Sequence, residues 1–106
     1  MLFFTSQVAA FGNGKPTVGN GGPHVVFFRM QGNPHGVQFS PQWEKLVNTC
    51  GARATFEIIE AANIPKHLQY KVLGFPTIML LDKKGNHEST YLGKRSVKDL
   101  RKWIRC

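Results

Sequence analysis

The chain has 106 residues, of which 42% are hydrophobic, and this is enough for one compact domain with a real core but leaves no room for a second. Fourteen basic residues and six acidic ones give a net charge of +8. Such a charge favours binding of anionic partners, but it can equally do no more than keep the protein soluble. Two cysteines are too few for a disulfide scaffold, and no apolar run approaches the roughly 20 residues of a membrane span.

The first 23 residues divide into an apolar opening and a loop. Residues 1–11 are apolar without a basic leading segment, so they indicate a first strand and turn rather than a signal peptide. Residues 12–23 contain five glycines and two prolines, a composition that excludes a regular helix or strand. Because the C-terminus carries no endoplasmic reticulum retention signal, the default expectation is a cytoplasmic protein.

A buried strand and a long helix follow. The continuous apolar run 25–28 is typical of a central strand covered on both faces. Asn33 is predicted to cap a helix whose first residue is Pro34, with a kink at Pro41 and a C-terminal glycine at Gly51. Apolar side chains at spacings of three and four form its buried face: Phe39, Trp43, Leu46, Val47 and Cys50.

The second half alternates between strands and helices. Residues 55–60 and 77–81 are predicted strands, and between them Asn63 is expected to cap a short helix opened by Pro65. A glycine-containing turn over 82–86 indicates a hairpin with an edge strand over 88–92. Ser96 and Asp99 form a capping box for a last helix. Its predicted buried side chains are Val97, Leu100 and Ile104.

Several motifs together resemble a thioredoxin or protein disulfide isomerase domain over about residues 24–105. They are Val-Val-Phe-Phe at 25–28, Pro-Gln-Trp-Glu-Lys-Leu at 41–46, Tyr-Lys-Val-Leu-Gly-Phe-Pro-Thr at 70–77, Asp-Lys-Lys-Gly at 82–85 and Gly-Lys-Arg-Ser at 93–96. The resemblance implies an α/β thioredoxin-like fold, a mixed central sheet flanked by helices, as one domain over 1–106. The core of this fold is expected over 24–106, and the glycine-rich loop stands where the family has its first helix.

The family's dithiol chemistry is missing from the matching positions. Counting without gaps from Phe28 to Pro41 places Asn33 and Gly36 where the family has its Cys-x-x-Cys cysteines, with Pro34 and His35 between them. Thiol–disulfide exchange needs a thiolate, so we expect a redox-inactive protein that is not an enzyme and has no catalytic residues.

Two further positions bear on this expectation. Phe27 occupies the place of a buried acid that the family uses during exchange. Cys50 and Cys106 are far from a Cys-x-x-Cys spacing, and they can be free, bridged within the chain or bridged between chains; Cys106, the last residue, is expected to be accessible.

The retained motifs favour binding of a protein or an extended peptide. By resemblance, Pro76 is the family's cis-proline, and the backbone at Phe75 is where the family pairs with an extended peptide. The predicted groove consists of Asn33, Pro34, His35, Gly36, Phe75, Pro76 and Gly93.

Two alternatives remain open, and neither they nor the groove require a cofactor. One is a structural or assembly protein that self-associates through Cys106, edge strands and a sheet face left uncovered by the missing helix. The other is anion or nucleic-acid binding by basic residues in and before the last helix, which also suit a solvated helix face. They are Lys94, Arg95, Lys98, Arg101, Lys102 and Arg105. Dispersed histidines make a metal site improbable: His24, His67 and His87.

Overall fold

The computed structural model describes residues 22–106. The predicted strand over 1–11 and most of the glycine-rich loop, residues 12–21, lie outside the described residues. The helices and strands of residues 22–106 follow the predicted order. They are β1 His24–Arg29, α1 Pro34–Cys50, β2 Thr55–Glu60, a 3₁₀ turn Ala61–Asn63, α2 Lys66–Gln69, β3 Thr77–Leu81, β4 His87–Thr90 and α3 Val97–Ile104.

The four strands form one mixed sheet in the order β2-β1-β3-β4. β1 runs parallel to β2, with Phe27 opposite Ile58, and antiparallel to β3, with Phe27 opposite Ile78. β3 and β4 form the antiparallel hairpin, closed by a turn in which Gly85 has φ +82°. The predicted fold class, a mixed sheet flanked by helices, is therefore confirmed.

α1 begins as the sequence predicts. The Asn33 side-chain oxygen accepts hydrogen bonds from the amides of His35 (2.9 Å) and Gly36 (3.1 Å), and Pro34 is the first helical residue. The helix continues through Pro41 to Cys50, and a kink at Pro41 stays a prediction. The predicted end of the helix is confirmed, because Gly51 is the C-cap, but it keeps right-handed dihedrals, φ −61° and ψ −21°, instead of the left-handed ones usual for a C-terminal glycine. The Arg53 amide donates to the Cys50 carbonyl at 2.9 Å in this turn.

α1 and α3 share one face of the sheet, over an aromatic core. The Phe27 ring on β1 meets Phe39 and Trp43 of α1 with centroids 5.0 and 5.4 Å apart, and Trp43 meets Phe56 of β2 at 5.5 Å. Leu100 and Ile104 of α3 complete this cluster, while Val97 is half-buried at its edge. Helix amphipathicity thus positions α1, whose first turn supplies part of the candidate site.

A disulfide joins Cys50 at the end of α1 to Cys106, with Cα atoms 6.0 Å apart. After α3, Arg105 adopts a left-handed conformation, and the amides of Arg105 and Cys106 bond back to the carbonyls of Lys102 and Arg101. This Schellman-type turn brings the last residue back against α1. Of the three states left open for the two cysteines, the structure shows the bridge within the chain, and Cys106 is half-buried.

The second face of the sheet is also buried. Val26, Phe28 and Met79 are fully inaccessible, and Leu68 of α2 packs against them. The expectation that a missing first helix leaves this face uncovered is therefore wrong for these residues.

The start of α2 differs from the sequence prediction, whereas the predicted pairing of Ser96 with Asp99 at the start of α3 is confirmed. α2 begins at Lys66 with Pro65 in the capping position, so Asn63 is not its cap and instead ends the 3₁₀ turn. At α3, the Asp99 amide donates to the Ser96 hydroxyl oxygen (3.2 Å), and that hydroxyl donates to the Asp99 carboxylate (2.9 Å).

Over residues 22–106, none of the helices has both the length and the apolar character that crossing a bilayer demands.

Candidate functional site

Two shallow clefts adjoin the start of α1 and the loop before β3. The first, of ≈ 400 Å³, lies between the first half of α1 and the residues that precede α3. Its lining residues are His35, Gln38, Phe39, Gln42, Arg95 and Ser96. Asn33 fixes the start of this helix, and so positions His35 at the mouth of the first cleft.

The second cleft, of ≈ 340 Å³, surrounds the peptide bond between Phe75 and Pro76, which is cis. Pro76 is buried and Phe75 is half-buried, whereas Leu73 and Leu92 are each 91% exposed. The remaining lining residues are Lys71, Gly74, Thr77, Thr90, Tyr91 and Arg95. Two almost fully exposed leucines on one cleft form an apolar rim that a partner can cover.

The main chain at Phe75 is open to an added strand. Within residues 22–106, neither its amide nor its carbonyl has a hydrogen-bond partner. Gly74 next to it is held by the Thr77 hydroxyl, which donates to the Gly74 carbonyl at 2.6 Å. Free main-chain groups in a fixed loop are what an extended peptide needs for strand-like pairing.

Arg95 belongs to both clefts. Its guanidinium donates a hydrogen bond of 3.1 Å to the Pro76 carbonyl and lines the first cleft beside Ser96. The two clefts and Arg95 are called the groove from here on. Sequence reasoning placed Arg95 with the basic residues of the last helix, whereas the structure places it between His35 and Pro76.

Among the residues described, no aspartate or glutamate lines either cleft. The neighbouring acid, Asp99, is engaged by the Ser96 hydroxyl in the cap of α3. Desolvation raises the pKa of the Tyr91 hydroxyl, and the charge of Asp99 raises that pKa further. The charged groups on the groove itself, Lys71 and Arg95, are both positive.

The other predicted groove residues support this site without lining it. Asn33 caps α1, Pro34 is exposed in its first turn and Gly36 is buried there. Gly93 lies beside Leu92, and a Cβ at Gly93 would stand 2.7 Å from the Tyr91 hydroxyl. That hydroxyl bonds the Lys94 carbonyl, so the glycine permits a close approach that holds the rim in place.

No thiol is available at this site. Cys50 lies at the opposite end of α1, about 24 Å along a helix of this length, and its exposed fraction is 0%. Phe27, in place of the family's acid, is equally inaccessible and surrounded by aromatic rings. Within residues 22–106, no three potential metal-binding side chains of His, Cys, Asp or Glu come together.

The basic residues of α3 lie on a different surface. Lys98, Arg101, Lys102 and Arg105 line a shallow depression together with Val97 and Cys106. The ion pairs within residues 22–106, His24–Glu57 and Arg29–Glu60, involve none of these four. Lys94 is exposed in the loop before α3 and lines neither cleft.

The rim leucines are the functional candidates that sequence reasoning missed. Leu73 and Leu92 each follow an apolar or aromatic residue in the sequence, and the sequence alone does not show whether a leucine in a loop is buried or exposed. The signal that could have found them is their position, because each lies within three residues of a groove residue predicted by resemblance.

Comparison with known proteins agrees with this architecture. The family model described as Thioredoxin matches residues 15–106. The chain belongs to the thioredoxin family. A search of curated protein sequences finds no match to it.

Solved structures place this thioredoxin-family chain beside protein disulfide isomerase domains. The first thioredoxin domain of mouse protein disulfide-isomerase A4 is 28% identical, with a TM-score of 0.63 over 78% of this chain and 61% of that one. The first two thioredoxin domains of Naumovozyma dairenensis Eps1p are 22% identical, with a TM-score of 0.66 over 79% of this chain and 34% of that one. The zinc-bound form of human ERp44 is 22% identical, with a TM-score of 0.68 over 81% of this chain and 25% of that one. The chain thus spans less than two thirds of each of these structures.

Proposed function

We propose that this thioredoxin-family protein is a redox-inactive module that binds an extended polypeptide in the groove, as a chaperone or adaptor does. The observation that carries the proposal is the second cleft, where Leu73 and Leu92, each 91% exposed, line the same cleft as Phe75. Strand-like pairing at Phe75 would supply hydrogen bonds, and the leucines would supply apolar contact.

Binding should depend on the rim leucines. We expect the variant carrying Leu73→Ser and Leu92→Ser to bind a labelled unfolded polypeptide at least roughly tenfold more weakly, because covering an exposed leucine contributes about 1.5–3 kcal/mol. Fluorescence anisotropy at physiological and at high salt measures this. Since both side chains are exposed in the free protein, its thermal unfolding should hardly change.

The matched control is Val37→Ser, which alters an apolar side chain that is 65% exposed on α1 but lines neither cleft. The control should bind like the original chain. Equal binding by all three proteins would contradict the groove. Loss of binding at high salt in all of them would instead favour the basic surface of α3.

Absence of exchange activity is the second half of the proposal. Asn33 and Gly36 provide no thiol, and the sulfur of Cys50 is buried in a disulfide. We therefore expect no acceleration when the protein is added to a dithiothreitol-driven reduction of a disulfide-bonded substrate protein. Acceleration that disappears in Cys50→Ala would show that the Cys50–Cys106 pair takes part in exchange, and would overturn this part of the proposal.

The basic surface of α3 is a second candidate site, of a different class. Its four cationic side chains, Lys98, Arg101, Lys102 and Arg105, form no ion pair with an Asp or Glu of residues 22–106. Such a surface favours binding of a polyanion. No aromatic platform accompanies them, because Trp103 is half-buried with its ring centroid 4.9 Å from that of Tyr91. The groove remains the favoured site.

A further inference from the structure

The charge of the groove bears on the chemistry of the peptide it takes. Arg95 and Lys71 are the ionised side chains among its lining residues, and neither pairs with a carboxylate of residues 22–106. An arginine has five N–H donors, and Arg95 uses one of them in a hydrogen bond of 3.1 Å to the Pro76 carbonyl. Its remaining donors have no partner in the described chain, and the side chain is exposed.

One hydrogen bond places the guanidinium next to the proposed peptide-pairing position. Its hydrogen bond joins it to Pro76, the residue directly after Phe75, so it cannot swing away without breaking this contact. A planar, always ionised fork held in place is suited to a carboxylate, which can accept two parallel hydrogen bonds from it. The apolar rim of Leu73 and Leu92 lies on the same cleft.

We propose that the groove selects an extended peptide in which an acidic residue lies within two positions of a large apolar residue. The acid would pair with Arg95, and the apolar side chain would cover Leu73 and Leu92. Arg95, Leu73 and Leu92 line the same cleft, and side chains two positions apart in an extended chain lie ~7 Å apart on one face, so the proposal assigns the two contacts to such a pair. This inference rests on the proposed function, because it specifies the ligand of the same groove.

Features of the groove favour an acidic peptide over a nucleic acid. A single strand is usually held by bases stacked on exposed aromatic rings. Here Tyr91 packs on Trp103 and Phe75 is half-buried, while the exposed apolar groups of the second cleft are Leu73 and Leu92. Aliphatic groups beside a guanidinium match an apolar and an acidic side chain.

The test uses the full chain and three labelled peptides. Each is a nine-residue Ser/Thr/Gly host with a central leucine and, two positions later, glutamate, glutamine or lysine. By fluorescence anisotropy we expect the glutamate peptide to bind roughly three- to tenfold more tightly than the glutamine peptide, and the lysine peptide most weakly. Arg95→Gln should remove this order, and Arg95→Lys should retain part of it.

The matched control is Arg105→Gln, which makes the same change in net charge directly after α3, outside the groove. It should keep the preference for glutamate. Equal binding of the glutamate and glutamine peptides to the original chain, or an unchanged preference in Arg95→Gln, would overturn this inference while leaving peptide binding in place. Failure of all three peptides to bind would overturn the proposed function itself, and this inference with it.

Discussion

Replacing both cysteines by alanine is expected to lower the free energy of unfolding by about 4 kcal/mol, the loop-entropy contribution of a disulfide that closes a loop of this size. Cys50 and Cys106 are 56 positions apart, so the bridge restricts more than half of the chain in the unfolded state. Urea denaturation of the original protein and of the Cys50→Ala, Cys106→Ala variant measures the difference. Alanine is chosen because position 50 is fully buried and a serine hydroxyl there would add a cost of its own.

Reduction provides the control for that experiment. Dithiothreitol should move the unfolding midpoint of the original protein toward that of the double variant, and should leave the variant unchanged. An original protein whose midpoint does not respond to reductant would contradict a stabilising bridge. A large response of the variant would show that the reductant acts by another route.

Returning the family's acid to the position of Phe27 should be severely destabilising. Phe27 is inaccessible and contacts the rings of Phe39 and Trp43, so Phe27→Asp loses about 3–5 kcal/mol of packing and buries a carboxyl among aromatic groups. Within residues 22–106, the buried side-chain polar atom without a partner is Trp43 Nε1. A single N–H donor cannot replace the hydration of a carboxylate.

The pH dependence separates the charge from the lost volume. Burial raises the pKa of the introduced Asp in the folded state above its value in the unfolded chain, about 3.9. Below that value both states hold the proton and the charge costs nothing; the penalty grows as the pH rises toward the folded-state pKa and then levels off. Phe27→Asn is the neutral control. We expect both variants to unfold alike near pH 3, below the unfolded-state pKa, and the Asp variant to be much less stable at pH 7. Equal stability at both values would mean that the site admits water.

The fold was predictable because its signals are local and periodic. The apolar run of β1, the three- and four-residue spacing in α1 and the Asn33 cap each depend on neighbours in the sequence, and the structure agrees with all three. The position of the cap after α1, Gly51, was predictable, but its conformation was not, since a glycine permits left-handed dihedrals without requiring them. Gly51 stays right-handed, and the Arg53 amide bonds the Cys50 carbonyl in the same turn.

The site was predictable only in part because its members come together through tertiary structure. Phe75 and Pro76 belong to a recognisable motif, whereas nothing in the sequence distinguishes Arg95 from the other basic residues near the last helix. Its contact with Pro76 joins positions 19 residues apart, and no periodicity encodes this. The disulfide is similar: both cysteines are visible in the sequence, but the left-handed turn at Arg105 that directs Cys106 toward α1 is not.

The covalent link between α1 and the last residue ties the stability of this chain to its chemical surroundings. Glutathione and reducing enzymes keep thiols unpaired in the cytosol, whereas secretory compartments let such bonds form and persist. In a reducing compartment this fold would rely on the cores on the two faces of its sheet without the covalent link. The chain therefore reaches its full stability in an oxidising environment, and there the protein would carry its one sulfur–sulfur bond at the end of α1 remote from the groove.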